Sequence, residues 1–240
     1  MITSASNPRL KLVRRLDSRS QRERLGLLVA EGEDLVAAAL DAGLEPVDAL
    51  VDAERPALVE RLPGAELVSP ALLATLASLP HPPRVLAVFR RADLPAGTDA
   101  PVGLALWRVH DPGNVGTLVR AADALGPAFV ALSPGSADPA GPKALRAAMG
   151  ATFRVPIAPF EDAPGPRVAL VPGAPEPLWA VDLPERVTFV LGAERDGLPE
   201  DVLASCEAQV AIPVGDASDS LNVAVTGAIA LYEHRRRRSA

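Results

Sequence analysis

The sequence predicts an α/β protein made of two consecutive units. Short apolar runs of strand length alternate with helix-length patterns along both halves of the chain, which is typical of α/β folds. Residues 91–101 are rich in proline and glycine, separate the two series and have the composition of a linker. We therefore expect one domain over residues 1–96 and a second over residues 97–240, with the boundary near residue 97.

The first unit follows a βαβα order of apolar runs and helical patterns. Each apolar run has the length of a strand, and each intervening segment has room for a short helix. The expected strands cover residues 27–30, 47–51, 67–68 and 85–89, and the expected helices cover residues 33–42, 56–62 and 70–79.

The second unit repeats the alternation, and its order predicts a parallel, doubly wound sheet. Such sheets bind ligands in the loops beyond the carboxyl ends of their strands. Three of these loops are glycine-rich or polar: residues 111–116, 192–197 and 212–222. The expected strands are 102–109, 128–132, 154–156, 168–171 and 187–191, and the expected helices are 115–125, 142–149 and 221–238, the last capped by Ser220.

Length and composition limit the class of protein. With 240 residues, 48% of them hydrophobic, the chain can bury a substantial core. Its single cysteine, Cys206, excludes an internal disulfide, and no Cys/His cluster has the spacing of a zinc site, so we expect no metal. The first 25 residues lack the apolar core of a signal peptide, and no run of 18 apolar residues predicts a membrane span. A cytoplasmic location is expected.

Charge is distributed unevenly along the chain. The net charge of −6 argues against a protein that coats nucleic acid over its whole surface. However, seven basic residues lie between residues 9 and 24, and four arginines form the run 235–238. On charge alone, these clusters are either nucleic-acid contacts or solvated helix faces.

The first polar loop precedes a helix that carries Arg120. Backbone N–H groups at a helix start favour an anion, and the Arg120 guanidinium would suit a phosphate or a carboxylate. The same residues, Asp-Pro-Gly-Asn at 111–114, could equally form a simple turn with a helix cap.

The other two loops carry weaker signals by themselves. The second follows a strand rich in valine and phenylalanine and places Glu194 at its tip, but it has neither a dinucleotide fingerprint nor a P-loop lysine. The third begins at Ile212 and leads to Ser220, Leu221 and Asn222, which could be no more than a helix cap. The chain has only three asparagines, and two of them lie in these loops, at positions 114 and 222.

In this order and spacing, the three loops resemble the signature motifs of the SpoU (TrmH-like) RNA 2′-O-ribose methyltransferases of the SPOUT class. The resemblance extends to segments 6–8, 29–32, 133–136 and 143–146, and so covers nearly the whole chain. Ala193, Arg195 and Ala148 depart from residues that are frequent in the family. The matching motif residues are Asp111, Pro112, Asn114, Gly116 and Arg120 in the first loop; Leu191, Gly192, Glu194 and Gly197 in the second; and Ile212, Pro213, Ser220, Leu221, Asn222 and Val223 in the third.

The resemblance implies a fold, a cofactor and partners. The C-terminal half would be a parallel-sheet domain with a trefoil knot, preceded by a smaller α/β domain that binds the substrate. S-adenosylmethionine would be the methyl donor. The partners would be RNA, with ribosomal RNA favoured over transfer RNA, and a second copy of the chain paired through the knot domain; DNA is not expected. The residues expected at the cofactor are Gly192, Gly197, Ile212 and Leu221.

The resemblance also assigns roles at the reacting ribose. Arg120 is the family's candidate for activating the 2′-hydroxyl, but a guanidinium stays protonated at ordinary pH, so we expect an electrostatic clamp rather than a base. His110 is a second candidate base; a packed histidine at the end of a buried strand is the alternative. The expected catalytic residues are Asn114, Arg120, Glu194, Ser220 and Asn222, and the expected RNA contacts are Arg9, Lys11, Arg14, Arg15 and Arg146.

Two other functions remain open at this point. The chain could be a non-catalytic RNA-binding homologue, although it keeps all five expected catalytic residues. It could also be a different nucleotide-binding α/β enzyme, for which a phosphate-binding lysine or a dinucleotide fingerprint should occur.

Overall fold

The computed structural model describes residues 1–76, 82–215 and 220–238. Two sheets organise it, one in each half of the chain. Among the described residues, no helix is long and apolar enough to cross a membrane.

The N-terminal half contains a four-stranded mixed sheet. Its order is β1-β4-β2-β3; β4 runs antiparallel to β1 and β2, and β2 runs parallel to β3. The strands are β1 (Leu27–Glu31), β2 (Asp48–Asp52), β3 (Glu66–Val68) and β4 (Val85–Arg90). The helices are α1 (Pro8–Arg15), α2 (Arg19–Leu25), α3 (Glu33–Asp41) and α4 (Pro70–Ala74), with a 3₁₀ helix at Pro56–Arg61.

All four strands predicted in this half are confirmed. Successive side chains of a strand point to opposite faces, so Leu28 and Ala30 enter one apolar cluster while Val29 enters another. Helices α1 and α2 were not predicted, because their segment was interpreted from its many basic residues rather than from a helical pattern. The end of the helix predicted at residues 70–79 lies outside the described residues.

The C-terminal half contains a six-stranded sheet, and every strand pair in it is parallel. Its order is β10-β8-β9-β5-β6-β7. The strands are β5 (Val102–Leu106), β6 (Ala128–Leu132), β7 (Ile157–Pro159), β8 (Arg167–Leu170), β9 (Val187–Leu191) and β10 (Ala208–Val210). The helices are α5 (Pro112–Leu125), α6 (Pro142–Ala148), α7 (Glu200–Ala204) and α8 (Val223–Arg238).

The parallel sheet is buried on both faces, as a doubly wound arrangement requires. Along β5, Leu104 and Leu106 join a cluster with residues of α5 and α8, whereas Ala105 joins Phe129 and Val202 on the other face. These alternating contacts confirm the predicted parallel sheet.

Several predicted boundaries in this half were wrong. β5 ends at Leu106 rather than at residue 109. Val109 lengthened the apolar run in the sequence because it is buried, but it lies in the loop that follows the strand. A 3₁₀ helix, Ala151–Phe153, delays the next strand, which forms at Ile157–Pro159 instead of residues 154–156. The short elements α7 and β10 were not predicted.

Helix α5 lies close to two other helices because glycines remove the intervening side chains. A Cβ at Gly116 would overlap the carbonyl oxygen of Ala144 in α6. A Cβ at Gly227 of α8 would overlap the Leu118 side chain of α5. The starts of α5 and α8 are thereby brought together at the carboxyl edge of the parallel sheet.

The two halves of the chain are packed against each other. One apolar cluster contains Leu28 and Phe89 from the first half and Leu145 and Phe153 from the second. The segment predicted as a linker also joins the parallel sheet at its edge, where the Ile157 N–H donates to Pro95 O over 3.1 Å. The domain boundary near residue 97 stays a prediction.

A buried ion cluster reinforces this junction. The Arg22 Nε donates to Asp138 Oδ2 over 2.8 Å, and these side chains are 5% and 4% exposed. The Arg91 guanidinium also donates to Asp138, over 2.9 Å. Burial alone would raise the pKa of Asp138, but Arg91 and Arg22 outweigh it and hold the pKa below its ordinary value. Arg22, counted in the basic cluster, is thus a structural residue.

Replacing Arg22 should destabilise the fold, because an incompletely paired carboxylate would remain buried. We expect Arg22→Met to lower the free energy of unfolding at pH 7 by about 3 kcal/mol in urea denaturation. The exposed pair of Arg84 and Glu33 provides the control, and Arg84→Ala should cost less than about 1 kcal/mol.

The same cluster predicts a pH dependence. The folded pKa of Asp138 lies below its ordinary value of 3.8, so its contribution to stability is present above that pH. The contribution is lost as the pH falls through the lower folded pKa. Arg22→Met should therefore be closer to the wild type in stability at acid pH than at pH 7, and an equal difference at both would contradict this role.

Candidate active site

Side chains from the three polar loops form one hydrogen-bonded chain at the carboxyl edge of the parallel sheet. The Asn114 Nδ2 donates to Glu194 Oε1 over 2.7 Å. The Asn222 Nδ2 donates to Asn114 Oδ1 over 3.1 Å. We call Asn222, Asn114 and Glu194 the amide chain. It joins residues that are up to 108 positions apart in sequence.

The start of α5 fixes Asn114. Asp111 is the N-cap residue, and its Oδ1 accepts from the backbone N–H groups of Gly113 at 2.5 Å and Asn114 at 3.3 Å. Lys143 Nζ lies 3.1 Å from Asp111 Oδ2. The Lys143 hydrogen bond, helped by the two backbone N–H groups, lowers the pKa of the Asp111 carboxyl. The cap is therefore ionised near neutral pH and holds Asn114 in the first helical turn.

Asn222 caps α8, which corrects the prediction that Ser220 does so. Its Oδ1 accepts from the N–H groups of Ala224 at 2.8 Å and Val225 at 3.4 Å, and the helix begins at Val223 rather than at residue 221. Because backbone N–H groups can only donate, the Asn222 oxygen is committed to the helix and its NH₂ group must face Asn114. This orientation makes Asn114 Oδ1 an acceptor and leaves the Asn114 NH₂ group to donate to Glu194.

The loop that carries Glu194 is closed by glycines. A Cβ at Gly192 would overlap the Gly197 carbonyl group and approach Leu198 N to 2.8 Å. Gly197 has a φ of +65°, a region that favours glycine, and its N–H donates to Ala193 O over 3.0 Å. Gly192 therefore has a steric reason to be glycine and Gly197 a conformational one, in addition to any ligand contact.

A cavity of about 810 Å³ lies beside the amide chain. Its lining includes the four residues predicted to contact a cofactor: Gly192, Gly197, Ile212 and Leu221. Glu194, Ser220 and Asn222 also line it. Leucines from strand ends and loops provide apolar walls: Leu170, Leu191, Leu198 and Leu203.

One wall of the cavity was not predicted from the sequence. Residues 171–174, in the turn after β8, line the cavity together with the predicted loops. The available signal was positional, since this Pro-Gly turn follows a predicted strand of the same parallel sheet.

Arg120 stands apart from the amide chain. It is exposed on α5, six residues after Asn114, which corresponds to about 9 Å along the helix axis. It does not line the cavity. The structure thus brings together Asn114, Glu194, Ser220 and Asn222, and places Arg120 on the neighbouring surface.

The residues predicted to contact RNA differ in their exposure and in the hydrogen bonds and ion pairs that they form within the protein. Arg9 pairs with Asp48 at 3.2 Å and lies 3.9 Å from Glu66. Arg14 donates to Ala5 O and Thr75 Oγ1, and Arg15 donates to Gln21 Oε1. Lys11 is exposed on α1, and Arg146 is half-buried on α6.

The C-terminal arginine run fastens α8 to the rest of the domain. Arg237 donates to the carbonyl oxygens of Leu178 and Val181, and Arg238 pairs with Glu185 at 3.3 Å. Arg236 and Arg237 both donate to Glu233. The Arg236 hydrogen bond is the main reason that the pKa of Glu233 falls to about 2. These contacts favour a structural role for much of the run.

The remaining titratable candidates have ordinary structural explanations. His110 is exposed in the loop after β5, so the expectation that it ends a buried strand was wrong. His234 is buried with Nε2 3.2 Å from Glu185 O, and burial lowers its pKa. Burial also raises the pKa of the Cys206 thiol, which argues against a reactive thiolate.

The fold, a parallel sheet with a cavity at its carboxyl edge preceded by a separate mixed sheet, is shared with solved RNA methyltransferases. An S-adenosylmethionine-bound ribosomal RNA methyltransferase from Sinorhizobium meliloti superposes with a TM-score of 0.84 at 30% identity, covering 98% of this chain and 97% of the other.

Two relatives match along nearly their whole length. An uncharacterized tRNA/rRNA methyltransferase from Synechocystis is 34% identical over 98% of this chain and 93% of its own. The Bacillus subtilis 23S rRNA (guanosine(2553)-2′-O)-methyltransferase RlmP is 31% identical over 98% of each chain.

Family models match both halves of the chain. Residues 101–232 match the SpoU rRNA methylase family, and residues 7–87 match the MRM3-like substrate binding domain. The chain therefore belongs to the SpoU rRNA methylase family. This confirms the predicted family, the parallel-sheet fold with an N-terminal substrate-binding domain, and the prediction that the protein is a methyltransferase.

Proposed function

We propose that this chain transfers a methyl group from S-adenosylmethionine to a ribose 2′-hydroxyl of ribosomal RNA. The observation that carries the proposal is the amide chain, which places one polar side chain from each family motif beside a single cavity. The full-length match to RlmP, a 2′-O-methyltransferase of 23S rRNA, supports both the reaction and the RNA class.

The cavity fits the cofactor by size and chemistry. Its volume of about 810 Å³ lies within the usual range for small-molecule sites, and leucine side chains with strand-end backbone suit an adenine ring. Gly192, Gly197, Ile212 and Leu221 would hold the cofactor there. When bound, S-adenosylmethionine supplies a methyl group on a positively charged sulfur.

The amide chain would position the ribose. Asn114 has one amide hydrogen bonded to Glu194, so the other can donate to a ribose oxygen. Asn222 and Glu194 hold that amide in one orientation, which reduces the conformational entropy that the side chain loses when the substrate binds. Ser220 lines the same cavity and would help to orient the ribose or the cofactor loop.

Arg120 would act as an electrostatic clamp on the RNA. Its guanidinium is exposed on α5, and it stays protonated at ordinary pH, so it can bind phosphate but cannot accept the hydroxyl proton. Of the predicted RNA contacts in α1, Lys11 and Arg15 are the most accessible.

Further features belong to the same proposal. We expect the C-terminal domain to form a trefoil knot, and two copies of the chain to pair through it. The exposed Val225 and Tyr232 lie seven positions apart on α8 and so share a helix face, which supports a pairing surface there. The proposal includes a cytoplasmic location.

The function is tested by mapping methyl transfer. The wild type should transfer labelled methyl from S-adenosylmethionine to ribosomal RNA in preference to transfer RNA, and the modified linkage should resist alkaline hydrolysis because its 2′-hydroxyl is blocked. Arg120→Ala should lower transfer by about 10²-fold while cofactor affinity is retained. Cofactor binding without any transfer by the wild type would favour a non-catalytic RNA-binding homologue.

The cofactor site is tested by adding a charge to its wall. Leu221→Asp should weaken S-adenosylmethionine binding at least about tenfold by calorimetry, because an unpaired carboxylate would enter an apolar wall. Val47→Asp is the matched control, since Val47 is 38% exposed, Leu221 is 37% exposed, and Val47 lies outside the cavity. Equal affinities of the two variants for S-adenosylmethionine would show that the cofactor does not bind in this cavity.

A further inference from the structure

Arg108 has a backbone conformation that residues with side chains seldom adopt. Its φ is +51°, in the left-handed region, and the residue is exposed in the loop between β5 and α5. Such a conformation costs free energy in residues other than glycine and persists only where the surroundings impose it. An arginine at this position therefore needs an explanation that a turn by itself does not supply.

Neighbouring groups hold Arg108 in place. The backbone N–H of Arg108 donates to Ser133 Oγ over 2.8 Å, and Ser133 is buried in the loop after β6. Its guanidinium carbon lies 5.7 Å from the ring centroid of Trp107. That ring packs edge-on against Phe160 with a centroid distance of 5.1 Å. The guanidinium thus lies over an aromatic ring that is itself held in place by packing.

The position of Arg108 connects it with the proposed active site. The backbone N–H of the preceding residue, Trp107, donates to Leu191 O over 2.8 Å. Leu191 leads directly into the loop that carries Glu194. Asp111 and Asn114 follow three and six residues later. Arg108 therefore lies at the same edge of the sheet as the amide chain.

The charge of Arg108 is available to a ligand. Within residues 1–76, 82–215 and 220–238, no carboxylate forms an ion pair with its guanidinium. By contrast, Arg22 and Arg237 direct their guanidinium groups to acceptors within the protein. A chain with a net charge of −6 must bind a polyanion through such local cations.

We propose that Arg108 binds a phosphate of the target RNA strand next to the ribose that is methylated. The guanidinium offers a planar pair of N–H donors that matches two phosphate oxygens, and Trp107 holds it at the edge of the site before RNA arrives. This inference rests on the proposed function, because it takes the bound strand to be the methylated RNA.

The test compares Arg108→Gly with the wild type in binding a ribosomal RNA fragment across a salt series. Glycine adopts a positive φ freely, so the variant should not unfold at a lower temperature. Losing one phosphate contact should reduce the slope of log affinity against log salt by roughly 0.7 to 0.9 and weaken binding about fivefold at 0.15 M salt. KM for RNA should rise, while kcat and cofactor affinity stay near the wild-type values.

Two further variants sharpen the comparison. Arg108→Lys keeps the positive charge and should keep most of the salt slope. Arg186→Gly removes the same charge from an exposed arginine that precedes β9, at the opposite edge of the same sheet, and should leave the slope unchanged.

An unchanged slope for Arg108→Gly would overturn the inference, and so would equal losses for Arg108→Gly and Arg186→Gly. Weaker binding with an unchanged slope would indicate that the Arg108 guanidinium stacks on a base instead of binding a phosphate, and this would also overturn the inference. Failure of the wild type to methylate the RNA would instead count against the proposed function, so the two ideas fail in different ways.

Discussion

The arrangement of the site depends on the two hydrogen-bonding ends of one side chain, Asn222. Its oxygen caps α8, and its NH₂ group binds the Asn114 oxygen at the start of α5. One amide thus couples the starts of two helices, and the free hydrogen-bonding capacity of Asn114 is directed to Glu194. Asn114 is half-buried, whereas Asn222 and Glu194 are exposed, so the amide chain contributes orientation: each hydrogen bond fixes the next side chain.

This coupling requires that the two helices approach closely. Gly227 provides the approach, because any side chain there would overlap Leu118. On the other side of α5, Gly116 allows the same closeness to α6, which packs against the N-terminal sheet. Close helix packing therefore connects the substrate-binding half of the chain to the amide chain through the contacts of α5 with α6. The buried cluster of Arg22, Asp138 and Arg91 strengthens that connection.

The sequence predicted most of the strands, because buried strands are continuous apolar runs, and it located the three loops, because glycine and polar residues interrupt those runs. It misplaced β7 and did not predict β10, which are only three residues long. It could not choose the cap of α8, since Ser220 and Asn222 are both good N-caps and only the helix start decides between them. Nor could charge patterns separate the buried Arg22 from the exposed Lys11, which lie in the same basic stretch. The positive φ of Arg108 was also invisible, because an arginine carries no turn signal.

Whether Asn222 positions Asn114 in addition to capping α8 can be measured by comparing Asn222→Asp with Asn222→Ala. An aspartate can cap the helix but cannot donate to Asn114, whereas alanine can do neither. We expect Asn222→Asp to keep the wild-type free energy of unfolding and Asn222→Ala to lose about 1 kcal/mol, and we expect methyl transfer to fall about 10²-fold in both variants. Near wild-type transfer by Asn222→Asp would contradict the positioning role, since the cap would then be the only role of the residue.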